Sequence, residues 1–375
     1  MRSIYLDHNA STPIAAPVGE VMRDVMQGAF GNPSSLHWAG IPARKIVDKA
    51  RAQVADLLGC SAQEIVFTSG GSEADNLALK GMFFASSKKR PHVITTCVEH
   101  PAIIEPCQFL QRLGAQITWL QVDGAGRIDP DDLRRAITAD TILISIMHAN
   151  GEVGTIEPIE ECALIAREHG IALHTDAAQS IGKLATRVDE LGVDLLSMAG
   201  HKFYAPKGIG ALYVRSGLQL EPLIHGGGHE SGRRSGTESA VLSAALGKAC
   251  ELAADLSDLG RVKVLRDRFW SALQERFGDL VTLNGHPEHR LPNTLNVSFN
   301  GHVGADILAQ MSTVAASTGS ACHEGRVELS PVLQAMGVTP QVGMGALRFS
   351  LGRTTTDAEI DAVVAALSSA LPTRC

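Results

Sequence analysis

From Glu64 to Ala177 the chain alternates short apolar runs with stretches whose apolar residues recur every three or four positions. The runs are EIVFTS, HVITTC, QITWLQV, TILISIMH and IALHTDA. Their length and content of Val, Ile and Thr predict buried strands. The intervening stretches predict helices from Ser72, over Ala102–Leu113, Pro130–Ile137 and Ile159–Glu168. Strand and helix in strict turn means βαβ units and a mainly parallel sheet. Upstream, residues 1–13 read as a short strand and turn, Gly31–Ser35 (GNPSS) as turn chemistry, and Ala43–Leu58 as a helix. Downstream, Leu195–Val214 (LLSMAGHKFYAPKGIGALYV) is an apolar strand, a Gly, Pro and Lys-rich break, and a second apolar strand.

A helix over Ala240–Ala254 closes this unit. Beyond it come a helix over Val262–Phe277, strands in LNVSFNG and ALRFSLG, and a helix over Asp357–Leu371 whose start carries the capping-box pair Thr356 and Glu359. The 375 residues exceed what one core usually supports. The expected fold class is therefore α/β: a large domain over 14–255 with a mainly parallel sheet, and a smaller α+β domain from 1–13 and 256–375. No internal repeat or low-complexity tract interrupts this order.

Composition narrows the function classes. At 45% apolar residues the chain can bury a large core. A net charge of -7 without a basic block argues against nucleic acid. No apolar run reaches the roughly eighteen residues of a membrane span, and MRSIYLDHNAST lacks the charged lead and apolar core of a signal peptide. The seven cysteines are scattered, with neither a disulfide framework nor a CxxC metal pattern, which fits a reducing cytoplasm.

Candidate chemistry begins at Lys202, in the break between the apolar runs of Leu195–Val214. Burial disfavours an ammonium, and attack on an aldehyde needs a neutral amine. A lone loop lysine is ordinarily a solvated charge. Asp176, at the end of another apolar run, changes that reading. A lysine and an acid at the carboxyl ends of neighbouring strands suit pyridoxal phosphate: the lysine holds the aldehyde carbon, and the carboxylate keeps the pyridine nitrogen protonated. Thr68–Asp75 (TSGGSEAD) passes from a strand through glycines into a helix, where free amides bind phosphate. Ser72 and Asp75 there have capping-box spacing. Gln179, three residues after Asp176, can face the same way and donate to the ring hydroxyl. His100, in TTCVEHPA, ends a strand at the same sheet edge, where an imidazole can stack on the ring and carry protons.

Cys322, in STGSACHEG and followed by His323, sits on a flexible, exposed loop. Most free cysteines are buried and inert; exposure beside a histidine favours the thiolate. Arg348 lies in mid-strand among apolar residues, so it needs an anionic partner, and a substrate carboxylate suits its fork. Gly226–Thr237 (GGGHESGRRSGT) reads either as a second anion-binding loop or as a solvated one.

Taken together, YLDHNAST, GNPSS, FTSGGSEADNLALKG, EHPAI, HTDAAQSIGK, GHKFYAPKGIGALYV, GGGHESGRRSGTE, PNTLNVSF, GSACHEG and LRFSLGRTTT span almost the whole chain and resemble the cysteine desulfurases of the class V aminotransferases, with fold type I, including the related selenocysteine lyases. The resemblance implies Lys202 as the pyridoxal phosphate lysine, Asp176 and Gln179 as partners of the ring nitrogen and hydroxyl, and His100 as the stacking and catalytic histidine. It implies Gly71, Ser72 and His201 for the phosphate. Thr237 is implied as a phosphate ligand lent by the second subunit of a homodimer, Cys322 as the persulfide-forming cysteine, and Arg348, Asn32 and Asn150 as substrate ligands. Two positions depart from the family pattern: Ala199 stands where a phosphate-site serine is usual, and Gly151 where MHxNNE has its second Asn. The Cys322–His323 pair resembles selenocysteine lyases as much as the common desulfurases. The implied reaction converts L-cysteine to L-alanine and leaves a persulfide on Cys322 for a sulfur acceptor or scaffold protein, as in iron–sulfur cluster assembly. L-selenocysteine is the rival substrate. A transaminase, or a sulfur-delivery scaffold that has lost turnover through Gly151, are the further alternatives.

Overall fold

The computed structural model describes residues 3–318, 320–323 and 326–371, with the backbone alone at 320–323 and 326–328. An N-terminal arm carries β1 (Ile4–Tyr5). The expected alternation then follows as β2 (Ile65–Thr68), β3 (His92–Thr96), β4 (Gln116–Leu120), β5 (Thr141–Ser145), β6 (Ala172–Asp176), β7 (Leu195–Ala199) and β8 (Gly210–Val214). These last seven form one sheet in the order β2-β8-β7-β6-β5-β3-β4. All its pairings are parallel except those of β8, which runs antiparallel to both β2 and β7. Antiparallel return is what the short Gly200–Ile209 connection permits, since a parallel crossover needs a dozen or more residues.

The sheet is buried on both faces, which explains why its strands read as continuous apolar runs. One face packs on a cluster that includes Val54, Leu58, Ile144 and Leu246, the other on one that includes Leu77, Leu79, Ile103 and Leu110. Helix Ala16–Gly28, which lies on the first face against helix Ala240–Ala253, is absent from the sequence reading. Only Val18 and Val25 of its 13 residues are buried, so its periodic signal is thin.

A second sheet takes the remaining chain: β9 (Val281–Asn284), β10 (Thr294–Phe299), β12 (Ser317–Thr318) and β15 (Ala346–Ser350) in the antiparallel order β12-β15-β10-β9. Between them, β11 (Val314–Ala315) pairs with β1. Helices Leu259–Phe277 and Asp357–Ala370 cover this sheet over a core of Phe269, Phe299, Phe349 and Leu367. The Thr356–Glu359 capping box forms as expected. The one expected at Ser72 and Asp75 does not. Helix Gly71–Ala85 follows Gly70, and it is Glu73 whose carboxylate accepts from the Ser69 N–H, at 2.8 Å. Asp75 points inward instead and is 2% exposed.

The stretch around Cys322 is also more ordered in its backbone than its Gly and Ser content suggests. It forms a hairpin, β13 (Ser320–His323) with β14 (Arg326–Leu329), that sets Cys322 opposite Val327. The pairing comes from RVEL downstream, which the reading of GSACHEG alone leaves out. The side chains of Cys322 and His323 lie outside the described residues.

The Gly226–Thr237 loop is anchored by a few of its side chains, while its glycines and Thr237 stay exposed. Glu230, 6% exposed and with φ of 52°, receives both arms of the Arg51 guanidinium at 2.6 and 2.8 Å and the Phe67 N–H at 2.9 Å. Arg234 pairs with Glu73 at 2.8 Å, and Arg233 donates to the Gln63 carbonyl. The loop is thereby strapped to the helix that opens the phosphate-like turn. Glu230→Ala should destabilise the protein by about 1–3 kcal/mol, because the Phe67 N–H loses its acceptor and the part-buried Arg51 keeps Glu238 and the Ile65 carbonyl. Equilibrium unfolding in urea measures this; an unchanged midpoint would mean that the pair does not hold the loop.

Candidate active site

A cleft of about 230 Å³ opens at the carboxyl ends of the parallel strands, where ligands of open α/β sheets bind. It gathers Gly71 and Ser72 from the start of helix Gly71–Ala85, His100, Asp176 from the end of β6, Gln179, and His201 and Lys202 from the turn after β7. These residues span 132 positions of sequence, from 71 to 202, and meet because β6 and β7 are adjacent parallel strands with helix 71–85 packed beside them.

Lys202 is partly buried, and its Nζ donates to the carbonyls of Asn9 and Ala10 at 2.8 and 3.1 Å. Burial, and the nearby Arg348 guanidinium, bring its pKa from 10.5 down to about 8; Asp176 and Asp7 oppose the shift. Asn9 is 1% exposed and joins every part of the neighbourhood. Its carbonyl also accepts from Gln179 Nε2 at 2.9 Å, and its Oδ1 from Lys183 Nζ and Asn293 Nδ2 at 3.1 and 3.0 Å. Its Nδ2 donates to the Gly151 carbonyl and to Thr294 Oγ1, and its N–H to Ser350 Oγ.

Asp176 is 8% exposed. Burial raises its pKa, while the Ala178 N–H at 2.8 Å, His100 and Lys202 pull it back. Beneath it lie Asp75 and Glu99, whose carboxyls burial also raises well above the usual range. His174 links Ser145 and Ser197 at 2.9 Å each and is kept neutral by burial. His100 is not the end of a strand: β3 stops at Thr96, and His100 caps helix Pro101–Arg112. Its Nδ1 accepts from the Ala102 N–H at 3.1 Å, so the ring is fixed and Nε2 is the nitrogen left to exchange protons. Burial lowers its pKa, as does Lys202, against Asp176.

Arg348 sits in β15 opposite Asn296 and Ser317. The anion it needs is already supplied by the protein: Asp7 Oδ1 lies 2.8 Å from one guanidinium nitrogen, with Ser317 Oγ at 2.9 Å, while the other donates to the Gly151 carbonyl at 3.0 Å. Its buried Nε has no partner among the described residues. A substrate carboxylate would therefore join Asp7 at this arginine rather than find it free.

Besides Arg348, which meets the cleft through Gly151, three expected site residues stand outside its lining. Asn150 is 2% exposed and spent on its own turn: Oδ1 accepts from the N–H groups of Glu152 and Val153, and Nδ2 donates to the Val98 carbonyl. Its expected place as a substrate ligand is corrected on that ground. Asn32 caps Ser34 in the GNPSS turn, and Thr237 is exposed on the Gly226–Thr237 loop. Those two segments border a common groove formed by Pro33, Ser34, His229 and Glu238. Of the departures, Ala199 lines the cleft, and its methyl would lie 3.2 Å from any Cβ at position 71, so Gly71 keeps that wall open. Gly151 also lines it. The sequence reading missed Asn9, Lys183 and Asp7. The HTDAAQSIGK motif contains Lys183, four residues after Gln179, which was the one available signal.

The residues present fit pyridoxal phosphate. A depressed amine, a buried carboxylate, a fixed imidazole and the amides of a fifteen-residue helix converge on one cleft, with a glycine where a Cβ would crowd the wall. This fold and cleft are those of the fold type I enzymes that work with that cofactor. The class-V aminotransferase model matches residues 4–363. The cysteine desulfurase IscS of Dictyoglomus turgidum is 48% identical over 364 residues, covering 96% of this chain and 92% of that one. Among solved structures, a NifS-like protein superposes with a TM-score of 0.92 at 36% identity, covering 98% of each chain. SspA in complex with cysteine superposes with a TM-score of 0.84 at 37% identity, covering 94% of this chain and 100% of that one. The chain belongs to the class-V aminotransferase family and, within it, to the cysteine desulfurases.

The lowered pKa of Lys202 gives a pH signature. Its neutral fraction grows as pH rises through about 8. Capture of added pyridoxal phosphate by the apoprotein should therefore speed up about tenfold from pH 6 to 7 and level off above roughly pH 9. Stopped-flow absorbance reads this. A rate still climbing steeply at pH 10 would show an ordinary lysine.

Proposed function

We propose that the protein removes sulfur from L-cysteine, releasing L-alanine and leaving a persulfide on Cys322 for a sulfur acceptor. The observation that carries this reading is the convergence of Lys202, Asp176 and the helix start at Gly71 in one cleft, with Arg348 bound to the cleft residue Gly151. Relatives over nearly the whole chain support it. Pyridoxal phosphate, when bound, supplies the electron sink that makes the substrate Cα–H acidic and the Cβ–S bond labile. Gly71, Ser72 and His201 would hold its phosphate, Asp176 its ring nitrogen and Gln179 its phenolic oxygen.

The protein's own groups do the rest. Arg348 anchors the substrate carboxylate, with Asp7 and Ser317 fixing the guanidinium plane. Lys202, neutral near pH 8, takes the Cα proton. His100 moves a proton at the sulfur through Nε2. The Cys322 thiolate attacks that sulfur: a sulfur–sulfur bond forms, the Cβ–S bond breaks, and the electron pair left on the substrate is protonated to give alanine.

The chain is proposed to act as a homodimer. Phe30, Leu36 and Trp38 are 81%, 78% and 79% exposed around the GNPSS turn, beside the groove that the Gly226–Thr237 loop borders. A partner over this patch would cover its apolar surface and could lend Thr237 to the neighbouring cleft. The division into 14–255 and 1–13 with 256–375 and a reducing cytoplasmic setting belong to the same proposal. The latter agrees with five described cysteines that are all free, and no described helix is long and apolar enough to cross a membrane.

Product analysis tests the function. With L-cysteine, wild type should yield alanine and a sulfur adduct of 32 Da, the mass of one sulfur atom (~32 Da), on the Cys322 peptide. Cys322→Ala should retain the cofactor while sulfur release falls by at least about 10². Release at the wild-type rate from Cys322→Ala would remove the persulfide from the reaction, and turnover of L-selenocysteine alone would make the protein a selenocysteine lyase.

A further inference from the structure

Lys183 is an unusual lysine. It follows Gln179 by four residues, is 8% exposed, and its Nζ donates to Gln179 Oε1 at 2.8 Å and to Asn9 Oδ1 at 3.1 Å. The charges that bear on it most, beyond burial, are both cations: Lys202 in the turn after β7 and Arg348 in β15. His8, from the N-terminal arm, also feels its charge. Asp7 is committed to Arg348, and Asp176 lies on the far side of Gln179 in the chain, ending β6. A buried ammonium in such company is costly. Burial and the two cations bring its pKa down to about 7. A neutral amine has two N–H groups, and the hydrogen bonds to Gln179 and Asn9 use both.

The position of Gln179 is constrained from the other side by Gly151. A Cβ there would lie 2.7 Å from Gln179 Nε2, 2.9 Å from Cγ and 3.0 Å from Cδ. The amide thus occupies space that any larger residue at 151 would take. Its orientation follows from chemistry at both ends. The Asn9 carbonyl can only accept, so Nε2 faces it at 2.9 Å, and Oε1 faces the donor on Lys183. One N–H of Nε2 is left for the cleft that Gln179 lines.

We infer that Lys183 is a positioning residue that, with the opening left by Gly151, locks the Gln179 amide so that it presents an N–H to the cleft. The inference rests on the cofactor reading above: that N–H would donate to the phenolic oxygen of pyridoxal phosphate. In this chain Gly151 is the complement of a held glutamine rather than a lost substrate ligand.

A donor to a phenolate favours loss of the proton that the oxygen shares with the Lys202 nitrogen. Loss of the donor should move the midpoint of the pH titration of the bound cofactor's visible band upward, by about 0.4–1 pH unit for one net hydrogen bond. The test compares Lys183→Met, Gln179→Ala and the double variant as holoproteins, read by absorbance against pH. Both single variants should shift the midpoint upward, and the double variant should shift it no further than Gln179→Ala, because Lys183 acts through Gln179. Gly151→Ala, which drives a Cβ into the same amide, should shift it the same way and serves if Lys183→Met does not fold. An unmoved midpoint in Lys183→Met or Gly151→Ala overturns the inference, as does a Lys183→Met shift that adds fully to that of Gln179→Ala. Absence of a visible band in wild type would instead remove the cofactor reading itself.

Discussion

Three cationic side chains, Lys202, Lys183 and Arg348, crowd around one asparagine, and most of the site's properties follow from that crowding. Among the described residues only Asp7 pairs with any of them as a carboxylate, at Arg348. Like charges in a low-dielectric neighbourhood disfavour one another's protonation. Arginine keeps its charge at any accessible pH, so the two lysines yield: burial and Arg348 act on both. Lys183 yields further, and its amine is turned away into hydrogen bonds with Gln179 and Asn9. Lys202 remains in the cleft, with an amine that becomes neutral near pH 8.

Asn9 makes this arrangement possible because its polar atoms take partners from every side. Its main chain and side chain bind the N-terminal arm to the turn after β7, to Gln179 and Lys183, to Thr294 and Ser350 of the second sheet, and to Asn293 just before it. The site is therefore built at the junction of two sheets. Each unsatisfied polar atom in such a buried network would cost roughly 1–3 kcal/mol, so the network fixes the relation between the two sheets as well as the positions of the lysines.

How much of this was legible in the sequence depends on the range of the interaction. Strand and helix alternation, the parallel sheet, and the meeting of Lys202, Asp176, Gln179 and Gly71 at one edge follow from local periodicity plus the rule that such folds bind ligands at the carboxyl ends of their strands. Asn9 and Asp7 were not legible as parts of the site. Asn9 lies 193 positions from its Lys202 contact, and Asp7 lies 341 from Arg348. No local pattern encodes such pairings. Asn150 was misjudged for the opposite reason: its strongest bonds are to Glu152 and Val153, two and three residues on, so a short-range turn consumed a side chain expected to reach the substrate. Cys322 was placed by composition on a loop, whereas its backbone pairs with β14 through residues outside the motif.

Two amines that share Asn9 as a hydrogen-bond partner, Lys202 and Lys183, give the account its most direct test. The protein loaded with pyridoxal phosphate is reduced with borohydride, digested, and mapped by mass spectrometry. Lys202 should carry the pyridoxyl group, with Lys183 unmodified, because Lys202 lines the cleft while Lys183 is buried outside its lining. A pyridoxyl group on Lys183, or on any lysine other than Lys202, would contradict the account.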